Sequence, residues 1–163
     1  MSTILAQELV GLLSAQGKRI TTVESCTGGL VAGAITAISG SSAVFDYGFV
    51  TYSNTAKTRL VHVPQTLIET HGAVSLQVAR AMAEGALREA GADIALSITG
   101  IAGPTGGSAD KPVGMVCFGL SRSGRKGEII TEAKVEQFGA IGRDAVREKS
   151  VELALSWALK VLS

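Results

Sequence analysis

KRITTVESCTGGLVAGAITAI, residues 18–38, is the stretch on which the fold turns. Its opening, KRITTV, is short and β-branched, the composition of a strand. Its close, LVAGAITAI, carries Leu30, Val31, Ala34, Ile35 and Ile38 at the spacing of one helical face. Between the two stand Ser25, Cys26, Thr27, Gly28 and Gly29. A strand that hands over to a helix across one tight, glycine-bearing turn is the opening of an α/β unit.

Working outward, the remaining segments fit that beginning. Leu5, Leu9, Leu12 and Leu13 recur at helical spacing and Gly17 supplies a stop, which predicts a first helix. SGSS breaks the helix that opens near Gly28, and FDYGFVTYS (residues 45–53) is aromatic and β-branched, as a strand should be. After Asn54 the pattern predicts short helical pieces, one of them started by Pro64. Ser75 to Gly91 reads as a helix with Ser75 as cap, Gly91 as stop, and Val78, Met82, Ala86 and Leu87 as its stripe.

ADIALSIT (residues 92–99) is apolar enough to be a buried strand, and the loop GIAGPTGGSADKP follows it. VGMVCFGL, the turn SRSGRKG and the strictly alternating EIITEAKVE predict an antiparallel hairpin. Arg143 to Leu162 is a long helix carrying Val146, Leu153, Trp157 and Val161. The expected fold is a single three-layer α/β domain over residues 1–163. Its mixed sheet holds the hairpin in the C-terminal half and has helices on both faces.

Composition narrows the function. With 46% apolar and 18% charged residues the chain is no disordered polymer. A net charge of +1 provides no global field for nucleic acid or an anionic membrane. No apolar run approaches the ~18 residues of a membrane span, and the amphipathic N-terminus does not resemble a signal peptide. A cytoplasmic protein is the expectation. Two cysteines and two scattered histidines suit neither a disulfide framework nor a zinc site, so no metal or cofactor is expected. The alanine-rich helices leave room for packing against a second copy, a dimer first of all.

The chemistry concentrates in three places. At the opening turn, Ser25 ends the strand while Thr27, Gly28 and Gly29 begin the helix, where free N–H groups and a positive dipole end favour an oxyanion. Ser25 is there either as a nucleophile or, like Thr27, as a simple helix cap. Neither His62 nor His71 offers itself as a base. In FVTYSNTAK (Phe49 to Lys57), Tyr52 and Lys57 are either a surface pair or the base and its proton relay. Cys26 competes as nucleophile, although a small buried packing residue is its more ordinary role.

The third place is SITGIAGPTGGSADKPVG (Ser97 to Gly114), where Thr99, Gly100 and Gly103 lie at the carboxyl end of a buried strand and suit a phosphate or ribose. It is neither a Walker A loop nor a dinucleotide fingerprint. Arg143 adds a guanidinium, either for a phosphate or as part of an ordinary Arg143–Arg147–Glu148 surface.

Taken together, ESCTGG (Glu24 to Gly29), FVTYSNTAK and SITGIAGPTGGSADKPVG closely resemble the CinA C-terminal domain family, and HGAVS and the segment around Arg143 agree. Stand-alone members of that family include nicotinamide-nucleotide amidases. Longer members carry an N-terminal domain linked to ADP-ribose chemistry, which is not expected of this chain. The resemblance implies hydrolysis of the carboxamide of nicotinamide mononucleotide to nicotinic acid mononucleotide and ammonia. It places the nucleophilic serine on Ser25, the tyrosine on Tyr52 and the lysine on Lys57, and leaves the glycine loop and Arg143 to hold the ribose phosphate. A non-catalytic nucleotide sensor built on the same loops is the alternative.

Overall fold

The computed structural model describes residues 1–163. Its element order is helix α1 (Ser2–Gln16), strand β1 (Ile20–Glu24), helix α2 (Leu30–Thr36), strand β2 (Phe49–Val50) and helices α3 (Asn54–Val61), α4 (Gln65–His71) and α5 (Leu76–Ala90). Strands β3 (Ile94–Gly100), β4 (Met115–Ser123) and β5 (Ile129–Gln137) follow, and helix α6 (Arg143–Leu162) completes the fold.

The five strands lie in the order β2-β1-β3-β4-β5. β1 pairs in parallel with both β2 and β3, whereas β3–β4 and β4–β5 are antiparallel. β1 is central and covered on both faces, so all five of its residues are buried although three of them are polar. One apolar layer joins Ile20, Ile94, Leu96, Ile98, Val116 and Phe118 to α1, α2 and α6. The opposite layer joins Val23 and Ala95 to Val61, Ile68, Val78, Met82 and Ala86 of α3, α4 and α5. Two apolar faces of one sheet therefore need two helical layers, as the segment order predicts.

The helix ends follow local chemistry. Ser75 Oγ accepts the N–H of Val78 at 3.2 Å and Gly91 closes α5 in the left-handed region. Gly17, at φ 64°, closes α1 in the same way.

Two expectations need correction. Of FDYGFVTYS only Phe49 and Val50 pair with β1. The preceding backbone instead crosses β1 closely at Gly48, where a Cβ would stand 2.6 Å from Thr22 Oγ1. In α2, Val31 and Ile35 are fully buried but Leu30 is exposed, because the helix begins at Leu30, whose side chain falls outside the layer.

This connectivity positions the site. The chain leaves β1 for β2 on one side and enters β3 on the other, so the carboxyl ends of β1 and β3 flank the point at which strand order reverses. Open α/β sheets form their ligand crevices there. The turn after β1, the segment after β2 and the long loop after β3 all emerge at that edge.

Candidate active site

The turn after β1 is held from several directions. Ser25 N–H donates to Ile98 O on β3 at 2.9 Å, Gly28 N–H to Ser25 O at 3.0 Å, and Leu30 N–H to Thr27 O at 3.0 Å. Gly28 and Gly29 have φ of 57° and 105°, conformations that glycine adopts without strain. The N–H groups of Thr27 and Gly29 have no protein acceptor.

Glu24, the last residue of β1, is completely buried and anchors the helix that follows. Its Oε1 accepts the Thr27 hydroxyl at 2.7 Å and the Val31 N–H at 2.8 Å, while Oε2 accepts the Ala32 N–H at 3.0 Å. A carboxylate at a helix N-terminus offsets the dipole and satisfies orphan donors together, which is how a buried charge is tolerated here.

Lys57 comes from the first turn of α3. Ser53 caps that helix by accepting the Ala56 N–H at 3.0 Å, so α3 starts immediately after the segment that leaves β2. The Lys57 side chain turns back beneath it, only 1% exposed, and Nζ reaches Ser25 Oγ at 3.1 Å and Thr51 O at 2.9 Å. No carboxylate pairs with it. Burial lowers the Lys57 pKa from 10.5, against an opposing contribution from nearby Cys26. A buried amine without a counter-charge favours its neutral form, which is the form that accepts a proton. Ser25 is 9% exposed, open just enough to be reached.

The other candidates fall into separate roles. Tyr52 is 62% exposed and makes no hydrogen bond to Ser25 or Lys57; its hydroxyl accepts from Arg143 Nη2 at 2.9 Å. Arg143, the first residue of α6, also donates from Nη1 to Gly103 O at 2.9 Å, and so ties the segment after β2 to the glycine loop. Thr99 is buried and spends its hydroxyl on Ala73 O at 2.9 Å. Gly100 ends β3 against Val116, and at Gly103 a Cβ would collide with Val113 Cγ1 at 2.4 Å. The glycines let the loop fold tightly upon itself. Lys111 fastens its far side, donating to His71 O.

Cys26 is 6% exposed and packs in the core, and burial pushes its thiol up to about 12. It is protonated at neutral pH, the form in which a thiol is a poor nucleophile. His62 pairs on the surface with Glu89, and neither histidine bonds to Ser25. No three His, Cys, Asp or Glu side chains converge as a metal-ligand set. A cleft of about 400 Å³ opens among Asn54, Thr58, Arg59, Gln65 and Glu69, but its lining includes neither Ser25 nor Lys57 and carries no activated nucleophile.

Two side chains that hold the turn after β1 escaped the sequence reading. Glu24 left a weak signal, an acidic residue inside a buried strand just before a helix start. Arg147 left none: read as surface, it is half-buried, with Nε donating to Cys26 O at 3.1 Å and Nη2 to Thr27 O at 3.3 Å.

Comparison with known proteins identifies the family. The family model for the CinA C-terminal domain matches residues 2–162. The chain belongs to the CinA C-terminal domain family. Nicotinamide-nucleotide amidohydrolase PncC of Enterobacter agglomerans is 53% identical, and the match spans 96% of this chain and 92% of that protein. PncC of Escherichia coli K12 is 50% identical over 93% of this chain and 88% of its own length. A putative competence-damage inducible protein of Symbiobacterium thermophilum is 50% identical over 97% of this chain, which spans only 38% of that longer relative. Among solved structures, the competence/damage inducible protein CihA of Agrobacterium tumefaciens superposes with a TM-score of 0.91 at 45% identity, covering 99% of this chain and 94% of that one. CinA-type domains thus occur both as short proteins of this length and within longer ones.

Proposed function

We propose that this protein is an amidohydrolase that converts nicotinamide mononucleotide and water to nicotinic acid mononucleotide and ammonia, with Ser25 as nucleophile and Lys57 as base. The observation that carries the proposal is the 3.1 Å approach of Lys57 Nζ to Ser25 Oγ in a buried setting without a counter-ion. The names of the two full-length PncC relatives support the substrate.

Neutral Lys57 has two N–H bonds and one lone pair. Donation to Thr51 O orients the amine, and the lone pair takes the Ser25 proton. Ser25 Oγ attacks the carboxamide carbon, and the carbonyl oxygen becomes an oxyanion facing the unpaired N–H groups of the Cys26–Gly29 turn. Lys57 returns the proton to the departing nitrogen, ammonia leaves, and an acyl-serine ester remains. Water then attacks the ester with Lys57 again as base, releasing the carboxylate product and restoring Ser25.

The proton needs no relay through Tyr52 on this path. Tyr52, oriented by Arg143, works from the rim of the site, while Arg143 and the loop that leaves β3 at Gly100 and folds at Gly103 receive the ribose phosphate; Thr99, buried within β3, supports that loop. The test is a product assay on nicotinamide mononucleotide with the wild-type and Ser25→Ala proteins side by side. Ammonia and nicotinic acid mononucleotide should appear with the first and not the second. Binding without turnover by the wild type would make the protein a sensor instead.

A further inference from the structure

We infer that Arg147 is a positioning residue for the reaction, acting by locking the two consecutive peptides between Cys26 and Gly28, so that the turn carrying Ser25 and the free Gly29 N–H keeps one shape. The inference rests on the amidohydrolase reading and adds to it a residue outside the reacting set.

The argument begins with the peptide plane. In a trans peptide the C=O and N–H point in opposite directions. Arg147 Nε holds the carbonyl of Cys26 at 3.1 Å, so the N–H of the same peptide unit, that of Thr27, is directed away from the guanidinium. That N–H has no protein acceptor. Arg147 Nη2 also holds Thr27 O at 3.3 Å, and that peptide's own N–H, on Gly28, returns to Ser25 O at 3.0 Å. Two consecutive peptide planes are therefore set by one planar fork.

The opposite side of the turn is held by Glu24, which takes the Thr27 hydroxyl and the N–H groups of Val31 and Ala32. Carbonyls are gathered on Arg147 and helix donors on Glu24, and the N–H of Gly29, at the partly exposed end of the turn, is left without a protein acceptor. A turn whose peptide planes are already set need not reorganise when charge develops on the substrate oxygen. Lysine cannot replace this arrangement, because a point charge on a flexible stem does not fix two planes.

The test uses the purified full chain with nicotinamide mononucleotide as substrate and measures kcat, KM and melting temperature for Arg147→Met and Arg147→Lys. Both variants should lose about 10²-fold in kcat through misalignment of the turn, with KM close to wild type and the melting temperature little changed. Guanidinium ion at millimolar concentration should restore part of the kcat of Arg147→Met, whereas ammonium ion should not. Wild-type kcat in either variant would overturn the inference. So would a raised KM at intact kcat, which would assign Arg147 to substrate binding. A kcat that falls only in step with melting temperature and resists guanidinium rescue would also overturn it, as a structural role. Should Arg147→Met fail to fold, Arg147→Lys, which keeps the charge and most of the stem, decides by the same criteria. A wild-type protein without turnover defeats the amidohydrolase reading itself, and the inference with it, and is distinguished by that control alone.

Discussion

Lys57 Nζ lies 3.1 Å from Ser25 Oγ, and the two residues come from different layers of the fold, one from the first turn of α3 and the other from the end of β1. The contact places an amine with no ion-pair partner against a hydroxyl that has no other hydrogen bond from its side chain.

Lys57→Met should cost about 10²–10⁴-fold in kcat, the usual worth of a general base, and should raise stability. Methionine fills similar space without a charge to desolvate. Chemical denaturation beside the activity assay checks both; a variant that is less stable would show that the amine contributes net stabilisation through Ser25 and Thr51.

The pH dependence follows from the lowered pKa of Lys57. Between its folded value and 10.5 the unfolded chain binds the proton and the native chain does not. Stability therefore rises with pH across that window, and below the folded value the penalty for the buried charge is present in full. Turnover should rise over the acid side of the same titration, as the amine becomes neutral. Denaturation midpoints and kcat/KM measured against pH should both lose this component in Lys57→Met.

Gly29→Ala isolates backbone strain. A Cβ there meets only Val50 Cγ2, at an ordinary 3.6 Å, so there is space for it, but φ is 105°. The expected loss is about 1–3 kcal/mol of stability, with a fall in kcat because an unpaired N–H belongs to this residue. Urea denaturation and steady-state kinetics measure the two effects.

Glu24→Gln should destabilise the fold by about 1–3 kcal/mol, the cost of leaving buried polar groups unsatisfied. Glutamine has one oxygen where three donors now meet a carboxylate, and its NH2 would face another donor. Amide exchange at Val31 and Ala32 should accelerate more than the rest of α2.

Cys26 should resist iodoacetamide at neutral pH in the native protein and react on unfolding, since its thiol is buried and raised to about 12. Mass spectrometry of the labelled peptide reads this directly, and activity should survive the native treatment.

The sheet, its hairpin and most helix ends were legible because periodicity, caps and glycine stops are local signals: Ser75, Gly17 and Gly91 act where they stand in the chain. Ser25 and Lys57 were legible as residue types in suggestive settings, but their meeting was not, since it depends on α3 starting at Asn54 and sending Lys57 back beneath β1. Tyr52 stood open between a surface residue and a relay; the structure leaves it exposed and joins its hydroxyl to Arg143, 91 residues away. Arg147 was illegible for the same reason, as its partners lie 120 and 121 positions earlier. Leu30 shows the opposite limit. A periodic pattern names a face but not the residue at which the helix begins to turn.

The clamp on the turn after β1 has a consequence for biosynthesis. Ser25 and Lys57 emerge from the ribosome early, whereas Arg147 follows Lys57 by about ninety residues, in the last helix. A nascent chain can hold Ser25 and Lys57 before Arg147 exists, so the two carbonyls of the turn gain their guanidinium partner only when α6 docks.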